Sequence, residues 1–210
     1  MINFPNLITT PNVCILQNFC PVEASWLQIL TCLPYLFLGG YFLWNSKTNR
    51  TKFGKTFAVS LIATGLSAIY LHLYWNLLGQ ILDVFCIMFV CLLPEVFLLK
   101  VPGNFKWSLL LSILFGSIIV SLQNNFGLLF VYVFGLGSFP VIRHIQRKQF
   151  RKESLSLLIP LVVGICLWIL GDNQGKWGLP LILPFHSAWH LLSVYVLYRL
   201  RMYYLSHFKI

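Results

Sequence analysis

The sequence predicts an all-α, polytopic membrane protein, and its composition is the first reason. Hydrophobic residues make up 58% of the 210 residues and charged residues only 10%, with a mean hydropathy of +0.79. A soluble domain of this size cannot bury so much apolar surface. The apolar residues also fall in runs of about 18 to 24, each long enough to cross roughly 30 Å of hydrocarbon as a helix.

Seven apolar runs predict a bundle of seven transmembrane helices. Residues 1–24 precede the bundle as an extramembrane segment and lack the basic start of a cleavable signal peptide. Residues 25–205 form one transmembrane domain, which we expect in a bacterial inner membrane or a eukaryotic endomembrane. The predicted helices span residues 25–45, 56–75, 78–99, 107–122, 126–143, 154–171 and 179–204.

The basic residues predict how the bundle is oriented. Of the 15 lysines and arginines, all but Lys176 fall on one side of a seven-helix chain. Because basic loops remain in the cytoplasm, we predict a cytoplasmic C-terminus and an N-terminus that is outside or lumenal. The net charge of +10 is therefore explained by topology. No basic, aromatic-interleaved groove is evident, so we expect no nucleic-acid partner.

Four polar residues are predicted to converge near the outer face of the bundle. His72 lies near the end of the second helix and Asp83 about one turn into the third, with a short connection between them. His186 and His190 are four residues apart in the seventh helix, so they share one face. Imidazole and carboxylate side chains in hydrocarbon usually face a bundle interior or a cavity, which makes each one a functional candidate.

These residue types indicate a metal site. Three neutral imidazoles and one open position form the ligand set of a catalytic zinc, with Asp83 as general base and then general acid. We expect no soft ligand at this depth, because the cysteines in the apolar runs are interpreted as small hydrophobes. Two alternatives stay open: the histidines hydrogen-bond between helices, or two of them bind a haem, which would leave Asp83 without a role.

Three stretches resemble motifs of the alkaline ceramidase family, part of a seven-helix hydrolase superfamily that includes the adiponectin-receptor-like proteins. The segment from Gly65 to His72, GLSAIYLH, resembles Gly-x-Gly-Ser-x-x-Phe-His. The segment from Gln80 to Asp83, QILD, resembles Gln-Leu-Leu-Asp-Glu at the same distance from the histidine. HSAWH at residues 186–190 resembles His-x-x-Trp-His.

The resemblance implies a zinc ion held by His72, His186 and His190, with Asp83 positioning the attacking water. The implied reaction is hydrolysis of the amide bond of ceramide to a sphingoid base and a fatty acid. The implied partners are a ceramide-like lipid and the membrane. The orientation implied for the family is also the one that the basic residues of this chain predict.

In the family, a serine lies four positions before the histidine that corresponds to His72, and this chain departs from the family at that position. Ala68 occupies that position, and Ser67 lies one place earlier, about 100° away around a helix. The family serine is thought to help stabilise the oxyanion. Either Ser67 or Tyr70 would then replace it, or turnover would be reduced. Ser67 is our second candidate catalytic residue, beside Asp83.

The family's calcium site is a second point of departure. Such a site needs several carboxylates, whereas the segment before and in the first helix offers one, Glu23, with Gln17, Asn18 and Gln28 as neutral oxygens. Zinc is therefore the only cofactor that we expect.

The leading hypothesis is a zinc-dependent amidase acting on ceramide-type lipids. The alternatives are a non-catalytic, zinc-containing lipid-binding or receptor-like relative, which Ala68 motivates, and a hydrolase of another acyl lipid.

Overall fold

The computed structural model describes residues 25–45, 51–98, 103–122, 132, 151–172 and 184–207, and within them the chain is all-helical. The segment 1–24, the predicted helix at 126–143 except for Tyr132, and Lys176 lie outside the described residues. Six helices are described: α1 (Ser25–Trp44), α2 (Lys52–Tyr74), α3 (Leu77–Leu98), α4 (Gly103–Leu122), α5 (Arg151–Asp172) and α6 (Phe185–His207).

The first residues of α2 and α6 differ from the predicted ones. Helix α2 begins four residues earlier than predicted because the Thr51 side chain caps it, accepting a hydrogen bond from the Gly54 N–H at 3.0 Å. Helix α6 begins at Phe185, directly after Pro184, and residues 179–183 of the predicted helix lie outside the described residues. Hydropathy locates the apolar run, but the cap determines where the helix starts.

Three helices are long and apolar enough to cross a membrane, over Trp26–Trp44, Lys52–Tyr74 and Leu77–Pro94. Helices α4 and α5 contain shorter apolar stretches. Large apolar side chains also point outward, such as Phe37 at 73% exposure and Trp44 at 90%. An apolar outer surface is typical of a membrane protein. The number of crossings and their orientation stay predictions.

Helices α1 and α2 are in close contact at two glycines. A Cβ atom on Gly39 would lie 2.6 Å from Ile62 Cγ1 and 2.8 Å from the Ala58 carbonyl oxygen. A Cβ atom on Gly65 would lie 2.7 Å from Leu36 Cδ2. Small residues let helix backbones approach one another, so these two glycines set the spacing of the pair.

On its other side, α1 packs against α6, and the two helices run in the same direction. Cys32 Sγ lies 3.4 Å from His190 Nδ1, and the Tyr35 hydroxyl hydrogen-bonds Ser193 Oγ. Both pairs are separated by 158 positions in the chain. Because both helices rise equally per residue, this constant offset defines a parallel register.

The histidines and the described basic residues lie at opposite ends of the bundle. Lys52 begins α2, whereas His72 lies in its last turn. In α6, His190 lies near the beginning and Arg201 near the end, where its guanidinium is fully buried and lies 3.8 Å from the centre of the Phe42 ring. We call the end where α1, α3 and α6 begin and α2 ends the histidine end.

Two apolar cores fill the bundle. One joins α1, α2, α3, α5 and α6 toward the basic end. The other joins α3 to α6 and consists of Val84, Met88, Leu92, Ile113, Trp168 and Trp189. Trp189 is a packing residue, because a Cβ atom on Gly164 of α5 would lie only 2.9 Å from its Cε3.

Candidate metal site

A two-residue turn brings the end of α2 and the start of α3 to the same depth. Trp75 adopts the left-handed conformation, with φ 46° and ψ 40°, which is uncommon for a bulky residue. Asn76 then caps α3, its Oδ1 accepting a hydrogen bond from the Gly79 N–H at 2.7 Å. The turn leaves His72 and Asp83 at the histidine end, as the short connection in the sequence predicted.

The three histidines singled out in the sequence lie side by side. The ring centroid of His72 lies 5.2 Å from that of His186 and 5.0 Å from that of His190. The centroids of His186 and His190 are 4.7 Å apart. All three residues are at least 90% buried. The Trp75 ring packs edge-on against His72 at 5.0 Å, which links the strained turn to the site.

The spacing of His72 and His190 fits two ligands of one ion. Their Nε2 atoms are 3.3 Å apart. Two imidazole nitrogens bound tetrahedrally to zinc, each at about 2.0–2.1 Å, are separated by about 3.3 Å. Nitrogens in such direct contact leave no room for a porphyrin between them, so this pair does not fit the axial ligands of a haem.

Helix α1 contacts the nitrogen of His190 that does not face His72. Thr31 Oγ1 lies 3.0 Å from His190 Nδ1. The Thr31 hydroxyl donates its own hydrogen to the carbonyl oxygens of Leu27 at 3.1 Å and Gln28 at 2.9 Å. His190 Nδ1 thus contacts a hydroxyl of α1, and metal binding at Nε2 would require Nδ1 to carry the hydrogen and donate it to Thr31 Oγ1. Histidines that bind metals commonly donate their other ring N–H in this way.

Cys32 is the residue that sequence reasoning missed. Ligand atoms from Cys32, His72 and His190 lie within 4.8 Å of one another, and this buried group can hold a metal ion. The expectation of no soft ligand at this depth was therefore wrong. A signal was present in the sequence, because Gln28, Thr31, Cys32 and Tyr35 form a polar stripe on one face of an otherwise apolar helix.

Asp83 lies beside the histidines with Ser67 as its neighbour. Ser67 Oγ donates to Asp83 Oδ1 at 3.4 Å and to the Thr64 carbonyl at 3.0 Å. The Asp83 carboxylate interacts electrostatically with His186. The two residues proposed from the sequence for catalysis, Asp83 and Ser67, are thus in contact with each other and next to the imidazoles.

The other hydroxyl considered for the oxyanion, that of Tyr70, is engaged by the turn. It accepts a hydrogen bond from Asn76 Nδ2 at 3.2 Å, and its ring packs on Tyr74 with centroids 4.8 Å apart. Ala68 is buried and has no hydroxyl. Ser67 is consequently the hydroxyl that stands beside Asp83.

Helix α5 positions the start of α6. A Cβ atom on Gly171 would lie 2.6 Å from the His186 backbone nitrogen and 2.8 Å from its Cβ. Only glycine permits this approach, so the end of α5 holds the first histidine of α6 in place.

Comparison of the chain with known protein families, with characterised proteins and with solved structures found no match. The described side chains at the histidine end combine three imidazoles, a thiol and a carboxylate, a set suited to a transition metal with a neighbouring proton acceptor.

Proposed function

We propose that the protein is a zinc-dependent membrane amidase that hydrolyses ceramide-type lipids to a sphingoid base and a fatty acid. The proposed ligands are His72, His186 and His190. The observation that carries the proposal is the 3.3 Å separation between the Nε2 atoms of His72 and His190, with the His186 ring beside both. Hydrogen bonding of His190 Nδ1 to Thr31 supports it, because that bond leaves Nε2 free to bind a metal.

The reaction adds water across the C–N bond of the amide. When bound, zinc supplies a Lewis acid for the carbonyl oxygen and lowers the pKa of a water molecule. Asp83 accepts the proton of that water and then delivers it to the departing amine, so the carboxylate ends the cycle ionised, as it began. Ser67 holds Asp83 in position through its hydroxyl.

A lipid substrate is favoured by the apolar surroundings of the site. The helices that carry the ligands expose large apolar side chains, including Leu73 on α2 at 56% and Leu191 on α6 at 50%. An acyl chain can approach between such surfaces from the hydrocarbon, whereas a water-soluble substrate would have to leave water to do so.

A second candidate function is favoured by Cys32. Its thiol lies with His72 and His190 in the group that can hold a metal ion. A thiolate added to the imidazoles would fill the open coordination position that catalysis needs. The protein would then be a non-catalytic, metal-containing, lipid-binding relative of the ceramidases. Ala68 favours this function, because it replaces the serine of the family. A hydrolase of another acyl lipid is the third candidate.

Elemental analysis and ceramide hydrolysis, both on purified protein with and without a chelator, test the proposal. We expect Asp83→Ala to keep its zinc and to lose roughly 100-fold or more of its hydrolysis rate, because general acid–base catalysis contributes at least that much. His190→Ala should lose both zinc and activity. Ser112→Ala is the control, since its exposed hydroxyl bonds only within α4.

Unchanged hydrolysis of a long-chain ceramide in both Asp83→Ala and His190→Ala would contradict the mechanism. Stoichiometric zinc with no turnover of any ceramide, acyl ester or phospholipid would support the non-catalytic function. Turnover of an acyl ester or a phospholipid, without turnover of ceramide, would support the third candidate, a hydrolase of another acyl lipid.

A further inference from the structure

A cavity of about 300 Å³ lies between α3, α4 and the beginning of α2. This volume falls at the lower end of the range of small-molecule sites, roughly 300–1,000 Å³. Two of the lining residues, Thr56 and Lys106, are polar, and the others are apolar. Neither the three histidines nor Asp83 line it, so the cavity is separate from the candidate metal site.

The two polar residues of the cavity lie at the end of the bundle opposite the histidines. Thr56 is in the second turn of α2 and Lys106 in the first turn of α4. On α3 the lining residues run from Phe97, near the end of the helix, back to Phe89. This stretch of helix rises about 12 Å, which is most of the ~15 Å of hydrocarbon that one leaflet contributes. The cavity therefore has one polar end and an apolar length, as a lipid has.

The ammonium group of Lys106 lies at the wall of the cavity. Its Nζ is 5.6 Å from the centroid of the Phe97 ring, which is within the range of a cation–π interaction. Among the side chains that the structure describes, the one acidic group is that of Asp83, at the histidine end, so no described carboxylate pairs with Lys106. The polar end of the cavity thus carries a positive charge that an anionic ligand can balance.

Trp107 indicates the depth of this end in the membrane. Its side chain lines the cavity and is 65% exposed, and tryptophan is enriched at the level of the lipid headgroups. The positive-inside rule predicts that this end faces the cytoplasm, where the leaflet carries anionic phospholipids. Phospholipid headgroups are therefore the anions most concentrated at the level of Lys106.

We propose that this cavity binds one acyl chain of an anionic phospholipid, with the lipid phosphate against the ammonium group of Lys106. Burial of the chain between α3 and α4 stabilises the complex, and the charge of Lys106 selects the anionic headgroup. The site does not depend on the proposed hydrolysis, because it shares no residue with the candidate metal site.

Two phospholipids with identical acyl chains and different headgroups test the site. Dioleoyl phosphatidylglycerol is anionic, and dioleoyl phosphatidylcholine is zwitterionic. Each is titrated into the purified protein in detergent, and native mass spectrometry measures the dissociation constant of the first lipid bound. We expect the wild-type protein to bind the anionic lipid roughly fivefold more tightly, which is the effect of one basic side chain near an anionic headgroup.

Lys106→Gln should bind the two lipids equally, whereas Lys106→Arg, which keeps the charge, should retain the preference. Lys55→Gln is the matched control, because Lys55 is an exposed lysine near the same end of the bundle and does not line the cavity. The control should keep the fivefold preference, because it loses the same charge from a position outside the site.

Val96→Phe tests the part of the site that receives the acyl chain. Val96 lines the cavity on α3, so the larger side chain occupies its volume without changing its charge. We expect phosphatidylglycerol to bind roughly tenfold more weakly, as bulk added to an apolar pocket causes. Leu110→Phe, on the opposite wall, replaces this variant if it does not fold.

Several results would overturn the proposal. A wild-type protein without a preference, or a preference that persists in Lys106→Gln, would show that Lys106 does not bind the phosphate. An equal loss in Lys55→Gln would show general attraction to a basic surface, and unchanged binding in the cavity-filling variant would show that the chain lies elsewhere. Oleate that binds more tightly than phosphatidylglycerol, in a manner that needs Lys106, would assign the cavity to a free fatty acid.

Discussion

Thr31 lies beside the candidate metal site without being one of its candidate ligands. Its hydrogen is committed to the carbonyl oxygens of its own helix, at 2.9 Å and 3.1 Å. His190 Nδ1 lies 3.0 Å from this oxygen, and metal binding at Nε2 would require Nδ1 to carry the hydrogen and donate it to Thr31.

Replacement of this threonine should weaken metal binding without removing a ligand. In Thr31→Val the His190 ring loses its hydroxyl acceptor, and we expect a 10- to 100-fold lower zinc affinity, the usual effect of losing such a partner. A competition titration with a chromophoric chelator measures it. Thr64→Val is the control, because the Thr64 hydroxyl is buried and bonds only to the Ser60 carbonyl of its own helix. Equal affinities in the two variants would contradict this role.

Helix α1 serves two neighbours with two different faces. Its glycine face contacts α2 at Gly39, where the Ala58 carbonyl oxygen leaves no room for a side chain. Its polar face presents Thr31 and Cys32 to His190 on α6. A shift of α1 away from α2 would therefore also displace the partners of His190.

The paired glycines of α1 test this arrangement. A Cβ atom on Gly39 would lie 2.8 Å from a backbone oxygen, whereas one on Gly40 would meet nothing within 4 Å. We expect Gly39→Ala to lower stability by about 1–3 kcal/mol, because overpacking forces the helices apart. Gly40→Ala should be neutral or slightly stabilising. Thermal unfolding in detergent compares them, and equal melting temperatures would show that the close contact does not exist.

At the scale of the described bundle, the histidines and the basic side chains are separated along its axis. The imidazoles and Asp83 lie at one end, and the described lysines and arginines lie toward the other. This separation agrees with the charge asymmetry of the sequence. Arg201, however, lies within α6, buried against Phe42 of α1, and not in a loop. The positive-inside rule therefore predicts that the histidine end faces outward.

Reporter fusions test the orientation. A fluorescent protein that folds only in the cytoplasm should fluoresce when fused after Ile210, and a phosphatase active only outside should be inactive there. Fusions after Lys176 should give the reverse pattern, since the predicted outer loop contains the one lysine that departs from the charge asymmetry. The same reporter active at both positions would refute the predicted topology.

Local features of the sequence predicted the helical class and the part of the candidate site that consists of the histidines and Asp83. Hydropathy and helical periodicity act over a few residues, so they predicted the all-helical class, the shared face of His186 and His190, and the common depth of His72 and Asp83 across a short turn. Only the tertiary structure decided that α1 contributes Thr31 and Cys32. These residues meet α6 across about 158 positions of chain, and such a contact depends on how whole helices pack against one another, which no local pattern specifies.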